Sequence, residues 1–268
     1  ERKKLHNQNE DMKGSIRVFC RIRPLSSSEL ARGNIDITEY LSDKCSIRVY
    51  HPIGNTDGTQ TKGSKDKAKV YTFDSVFSPQ NGQDEVFEDV SHLVQSACDG
   101  YNVCIFAYGQ TGSGKTWTMS GIRSNPGIQP RAVKAIFDTV KKDSDKFAYT
   151  VSVYMIEMYL DDLNDLLKSL PNGEIMGKMD RKGNLKVVKD SRGRVQVGGV
   201  TKITAHSIEE MENILSAGQA KRHVAATKMN SESSRSHLVS SIMIEATNKQ
   251  TKLTTSGKLT LGKRNITK

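Results

Sequence analysis

VCIFAYGQTGSGKTWTM, residues 103–119, reads as a strand-length apolar run, a glycine-rich turn and the opening of a helix. Gly109, Gly114, Lys115 and Thr116 satisfy G-x-x-x-x-G-K-S/T, the pattern of a phosphate-binding loop. Each residue type has a task in that chemistry. Gly112 and Gly114 let the backbone take positive φ and approach an anion without a Cβ, and the helix that follows points its positive end at the phosphate. Backbone N–H groups from Gln110 through Ser113 wrap the phosphates, Lys115 reaches the terminal oxygens, and the Thr116 hydroxyl is the candidate magnesium ligand. The loop alone does not choose among kinases, small GTPases, AAA machines and motors.

The elements on either side continue an α/β alternation. Upstream, SIRVFCRIRP (15–24) alternates like a strand and stops at Pro24, and strands are also expected at 46–50 and at VYTF (70–73). Residues 52–69 have no apolar period and predict a surface loop. Val86, Phe87, Val90, Leu93, Val94 and Ala97 fall on one helical face that closes at Gly100. Downstream, PRAVKAIFDTVKK predicts a helix, YTVSVYMIEMY a strand and DDLNDLL a short helix. Residues 171–194 read as turn-rich and basic, and RVQVGGVTKI as a strand pair or hairpin. SIEEMENILSAG is a helix opened by a capping box of Ser207 and Glu210, and HLVSSIMIEAT and SGKLTL are two more strands.

DGYNVCIFAYGQTGSGKTWTM resembles the kinesin motor signature over the whole strand, loop and helix, Tyr108, Gln110 and Thr111 included. VFCRIRPL, YTFDSVF, EMYLDDLNDLL and NSESSRSHL extend the resemblance from residue 14 to about 261. It implies a P-loop NTPase fold, with a central mainly parallel or mixed sheet and helices on both faces. It also implies ATP or ADP with Mg2+ as cofactors and microtubules (tubulin) as partner. The R-x-R-P segment, here Arg21, Arg23 and Pro24, and the residue after the loop threonine, here Trp117, would border the adenine. Trp117 reads first as an indole stacking on the base, with an ordinary core aromatic as the alternative. Asn230–His237 is similar to switch I. That likeness gives Ser234 to the magnesium shell beside Thr116, and Asn230, Ser233 and Arg235 to γ-phosphate sensing or water positioning. Leu160 departs from the asparagine usual in its segment.

ERKKLHN followed by MKGSIRVFCRIRPL is similar to the neck-to-motor junction of kinesins that carry the motor at the C-terminus and move toward microtubule minus ends. The expected organisation is a neck helix or linker at 1–13, a partial motor domain at 14–261, and a tail at 262–268 that leaves the family pattern. The family's V-D-L-A-G-S-E should follow SGKLTL, where the chain reads GKRNITK, so switch II and most of the track interface are expected to be missing and the motor to be C-terminally truncated. Two readings follow: an ATP-driven microtubule motor, or a non-motile nucleotide-binding or regulatory product. A homodimer through an upstream coiled coil goes with the first. Lys178, Arg181, Lys182 and Lys186 are either contacts to acidic tubulin or a solvated basic loop.

Composition bounds the remainder. Forty Lys and Arg against thirty Asp and Glu give +10, which favours an acidic partner without saying which. No aromatic RNA-binding signature accompanies the charge, so nucleic acid is not expected. Cys20, Cys45, Cys98 and Cys104 form no C-x-x-C pair and read as reduced thiols, two of them in runs that should bury them. No apolar stretch approaches a membrane span, and the first residues are too charged for a secretory signal, so a soluble protein of the cytoplasm and microtubule cytoskeleton is expected.

Overall fold

The computed structural model describes residues 5, 14, 16–54, 60–159, 162–180, 182–189, 195–228 and 236–265, with backbone alone at 66, 223–228 and 265. Leu160, Arg181 and the switch I residues 230–235 lie outside the described set, as does nearly all of 1–13. The chain divides into two compact units, Glu1–Val86 and Phe87–Lys268.

The first unit opens with β1 (Phe19–Arg21), shorter than the strand expected at 15–24, and α1 (Ser27–Ala31). A complete capping box holds α1: Ser26 Oγ accepts the Glu29 N–H and the Glu29 carboxylate accepts the Ser26 N–H. Next come β2 (Thr38–Tyr40), β3 (Ser46–Val49), β4 (Pro52–Gly54), β5 (Gln60–Lys62), β6 (Lys69–Thr72) and β7 (Ser75–Phe77). Strands β2, β3 and β6 form an antiparallel sheet, while β1 and β7 pair in parallel. The loop expected at 52–69 is a correction, because β4 and β5 pair as an antiparallel hairpin. Their residues are all exposed, so no apolar period marks them.

Helix α2 (Gln83–Cys98) contains the division between the units and ends at Gly100, whose φ of 107° is the left-handed stop read from sequence. Along the second unit follow β8 (Asn102–Gly109), α3 (Lys115–Met119), β9 (Gly121–Ile122), β10 (Asn125–Pro126), α4 (Ile128–Lys142), β11 (Phe147–Tyr159), β12 (Asp162–Asp165), β13 (Gly173–Met176), β14 (Lys186–Lys189), β15 (Val195–Gly198), β16 (Val200–Ala205), α5 (Ile208–Lys228), β17 (Ser236–Asn248) and β18 (Thr254–Asn265). The main sheet is mixed, in the order β13-β16-β11-β17-β18-β8, with β12 also on β11. Its β18–β8 pair is parallel, and the pairings of β11 with β12, β16 and β17, of β13 with β16 and of β17 with β18 are antiparallel.

Val153, Ile242 and Leu259 lie at aligned positions of adjacent strands and, with Met155 two residues along β11, are fully buried. Each buried side chain of this kind contributes about 1.5–3 kcal/mol. Helix α5 closes on this face through Gly218, where a Cβ would stand 2.5 Å from Met155 Sδ. Side chains alternate across a strand, so Tyr154 and Ile156 turn to the opposite face. There they cluster with Val197 and Val200, against Leu163, Val239 and Met243.

Three further expectations change. DDLNDLL does not form a helix: Asp162–Asp165 is a strand pairing Ile156–Tyr159. RVQVGGVTKI supplies two strands that do not pair with each other, since β15 pairs β14 and β16 pairs β11 and β13. Cys104 is exposed although Cys98 is buried, because side chains alternate along β8 and Cys104 lies on its open face. On that face Phe106 and Tyr108 are exposed as well. The strand read at SGKLTL runs on to Asn265 and keeps its parallel register with β8. No described helix is long and apolar enough to cross a membrane.

Candidate nucleotide site

β8 ends at Gly109, and the chain turns through residues 110–114 into α3. The Ser113 N–H closes that turn on the Gln110 carbonyl at 3.2 Å. Gly112 and Gly114 take φ of 81° and 91°, in the left-handed region where a Cβ is strained, so glycine is required for the loop to curl. A Cβ at Gly112 would have no atom within 4 Å, so that side of the loop is open to an approaching group. Gly114 caps α3 without a side-chain bond, which leaves the first N–H groups of the helix to an anion.

Lys115 Nζ donates to the carbonyls of Gly109 at 2.9 Å and Gln110 at 2.7 Å. An ammonium has three donors, so these two bonds hold the lysine in the loop and leave a third proton for a phosphate oxygen. Burial lowers its pKa. Thr116 follows on the first turn of α3, on the same element as Lys115. Gln110, Thr111, Gly112, Ser113, Gly114, Lys115 and Thr116 are thus brought together as one strand-loop-helix element. Trp117 is 41% exposed, which removes the core-aromatic reading and leaves a surface indole two residues beyond the lysine.

Arg21, Arg23 and Pro24 belong to the first unit. Arg21 donates to the Gln83 side chain at 2.8 Å, and burial lowers its pKa. Arg23 grips Glu29 through both terminal nitrogens, at 2.8 and 2.6 Å, and also reaches the Pro24 carbonyl at 3.1 Å. The Arg23 hydrogen bond, followed by those from Ser26, pushes the Glu29 carboxyl down to about 2. Arg23 therefore buttresses the α1 cap.

Of the switch I resemblance, Ser236 and His237 are described, and Asn230, Ser233, Ser234 and Arg235 lie outside the described residues. Ser236 belongs to a polar cluster the sequence reading did not name. Its hydroxyl donates to buried Glu157 Oε1, and Arg222 of α5 reaches the same carboxylate oxygen at 3.2 Å and the Ser236 carbonyl at 3.2 Å. Burial lowers the His237 pKa, with Arg264 and Arg222 adding to it. A single carboxylate inside the apolar strand VYMIEMY was the available signal, since a buried charge needs a partner.

Magnesium fits these residues less well than phosphate does. Among the described residues no group of three or more His, Cys, Asp or Glu could hold a metal. Thr116 offers an oxygen, and Ser234 is not described. On β18 the residue opposite Ala107 is Lys263.

Residues 21–262 match the kinesin motor domain family. A kinesin-like protein KIN-14E of Arabidopsis thaliana is 46% identical over 258 residues, covering 96% of this chain and 19% of that protein. KIN-14I of Oryza sativa subsp. japonica is 46% identical over 261 residues, with the same coverages, and klp-3 of Caenorhabditis elegans is 40% identical over 97% of this chain and 40% of its own length. A solved structure described as a fast kinesin superposes with a TM-score of 0.78 at 32% identity, over 94% of this chain and 65% of that one. The chain belongs to the kinesin motor domain family. Within it, the first relatives are of the KIN-14 kind, and the chain spans about a fifth of the two plant proteins.

Proposed function

We propose that the chain binds ATP and ADP at residues 109–116, and that the longer protein it resembles in part is a microtubule motor of the minus-end-directed class. The observation that carries this reading is the loop itself: left-handed Gly112 and Gly114, Lys115 tied to the Gly109 and Gln110 carbonyls, and a bare α3 N-terminus, inside a chain that matches the motor domain family. The backbone N–H groups and Lys115 take the phosphate oxygens, and Trp117 lies against the base. Asn230, Ser233 and Arg235 sense the terminal phosphate, with Ser234 beside Thr116 toward the metal. The cluster of Glu157, Arg222 and Ser236 fixes where β17 starts after that segment.

Arg21, Arg23 and Pro24 carry the adenine edge in this reading, with the Glu29 grip fixing the backbone around Pro24. Microtubules are the partner in this reading, an acidic surface to which a +10 chain is suited, and the site of action is the microtubule cytoskeleton. A homodimer through a coiled coil before the motor belongs to the same reading. Equilibrium binding of a fluorescent ATP analogue to the intact chain and to Lys115→Ala tests it. Saturable binding that the substitution weakens by about tenfold or more, about 1.4 kcal/mol, supports the reading. Equal binding by both chains refutes it.

A further inference from the structure

Lys263 is a cation on β18, the strand that pairs with β8 below the phosphate loop. Strand β18 lies parallel to β8, with Lys263 opposite Ala107 and Asn265 opposite Gly109, the first glycine of the loop. Two residues of strand, about 7 Å, therefore separate the Lys263 backbone from the level of the loop. A lysine's four-carbon stem covers a comparable distance and rotates freely. The side chain lies on the α3 side of the sheet, where Nζ donates to Ser120 Oγ at 3.0 Å. Ser120 ends the five-residue helix that Lys115 and Thr116 begin.

Lys263 has no carboxylate partner among the described residues; Ser120 Oγ is its hydrogen-bond partner there. The Glu157 carboxylate is engaged by Arg222 and Ser236. Lys115 likewise donates to backbone carbonyls. Ammonium donors thus stand at both ends of α3, Lys115 beside Thr116 at its start and Lys263 on Ser120 Oγ at its end. A divalent cation takes oxygen ligands, and of Lys115, Thr116 and Lys263 only Thr116 offers a side-chain oxygen.

We propose that Lys263 supplies positive charge that a divalent cation otherwise brings to a nucleotide's polyphosphate, so that this chain binds nucleoside triphosphate with little dependence on magnesium. The ammonium leaves Ser120 Oγ for a phosphate oxygen, and no bond is made or broken. Burial beside Arg222 pushes its pKa down to about 8, so the charged form of Lys263 is held at a cost that an anion relieves.

The inference rests on nucleotide binding at residues 109–116, and its test separates the two claims. Binding of a fluorescent ATP analogue is titrated in excess EDTA and in millimolar MgCl2, with inorganic tripolyphosphate as competitor, for the intact chain, Lys263→Met and Lys263→Asp. Thermal melts of each protein establish that it is folded. The expected result is an affinity for the intact chain that EDTA changes by less than about threefold. In EDTA, Lys263→Met binds about tenfold more weakly, a loss of about 1.4 kcal/mol, and Lys263→Asp binds measurably only with magnesium. An intact chain that loses affinity by tenfold or more in EDTA overturns the inference and leaves nucleotide binding standing. So does a folded Lys263→Met that matches the intact chain in EDTA, since Lys263 would then only cap α3. Absence of binding in both buffers overturns both claims.

Discussion

Replacing Glu157 by alanine should destabilise the second unit more than any other single change to its polar groups. Glu157 is 6% exposed in the middle of the sheet and accepts from both Arg222 and Ser236, which is itself 5% exposed. Its loss leaves the Arg222 guanidinium, with a side chain 22% exposed, among groups of the same sign. Arg222 already helps to lower the pKa of both Lys263 and His237, so the surroundings are positive. Breaking a buried pair from one side typically costs about 3–5 kcal/mol, because the remaining charge keeps its desolvation penalty. With a urea m-value of roughly 2–3 kcal/mol per molar, the midpoint should fall by at least about 1 M. The informative control is the triple replacement Glu157→Met, Arg222→Met, Ser236→Ala, which removes all three polar partners together and should recover most of the loss. Urea unfolding followed by circular dichroism and by Trp117 fluorescence reads both. A shift below about 0.3 M for Glu157→Ala, or a triple variant no more stable than the single one, would refute the reasoning.

Gly257→Ala places a Cβ 2.0 Å from the Ala97 carbonyl oxygen, a backbone atom that cannot step aside, so soluble yield and melting temperature should both fall sharply; a native-like melt would contradict the packing of α2 on β18. Trp117→Ala should leave the melting temperature nearly unchanged, because the indole is 41% exposed, yet weaken adenine nucleotide several-fold while tripolyphosphate is held equally; a large drop in melting temperature would return Trp117 to the core. Lys263→Met should stabilise the protein near pH 7. The folded pKa of about 8 lies below the ordinary 10.5, so folding with the charge on is penalised below pH 8, the penalty fades between 8 and 10.5, and it vanishes above. At about 1.4 kcal/mol per tenfold change in proton affinity the gain is on the order of 3 kcal/mol at pH 7, and a pH-independent difference between the two proteins would count against it.

What the sequence made legible was whatever local chemistry decides. Gly112 and Gly114 announce a curled backbone because hardly any other residue takes those angles, and Gly100 ends α2 for the same reason. Where partners decide, the reading failed. DDLNDLL has an apolar spacing that suits a short helix, yet Asp165 is held from elsewhere, accepting the Thr201 N–H at 2.7 Å, and the segment pairs with β11 instead. VCIFAY is apolar throughout, but burial depends on what covers each face of a strand, and Cys104, Phe106 and Tyr108 lie on a face left open. The Ser207 box is half formed: Ser207 accepts the Glu210 N–H at 3.1 Å, while Glu210 returns its bond to the His206 N–H. The complete box at Ser26 and Glu29, held by Arg23 from six residues away, went unread. Arg23 was legible as part of R-x-R-P, and its grip on Glu29 was not. Lys263 carried no local signal at all; only the register of β18 against β8 brings it to the loop.

The most direct test of the central claim is isothermal titration of ATP into the intact chain and into Lys115→Ala. The account predicts one site per chain for the intact protein and a loss of affinity of about tenfold or more for the variant, since the lysine is held in the loop with a donor to spare. An intact chain that takes up no nucleotide, or a folded variant that binds as well as its parent, would contradict it.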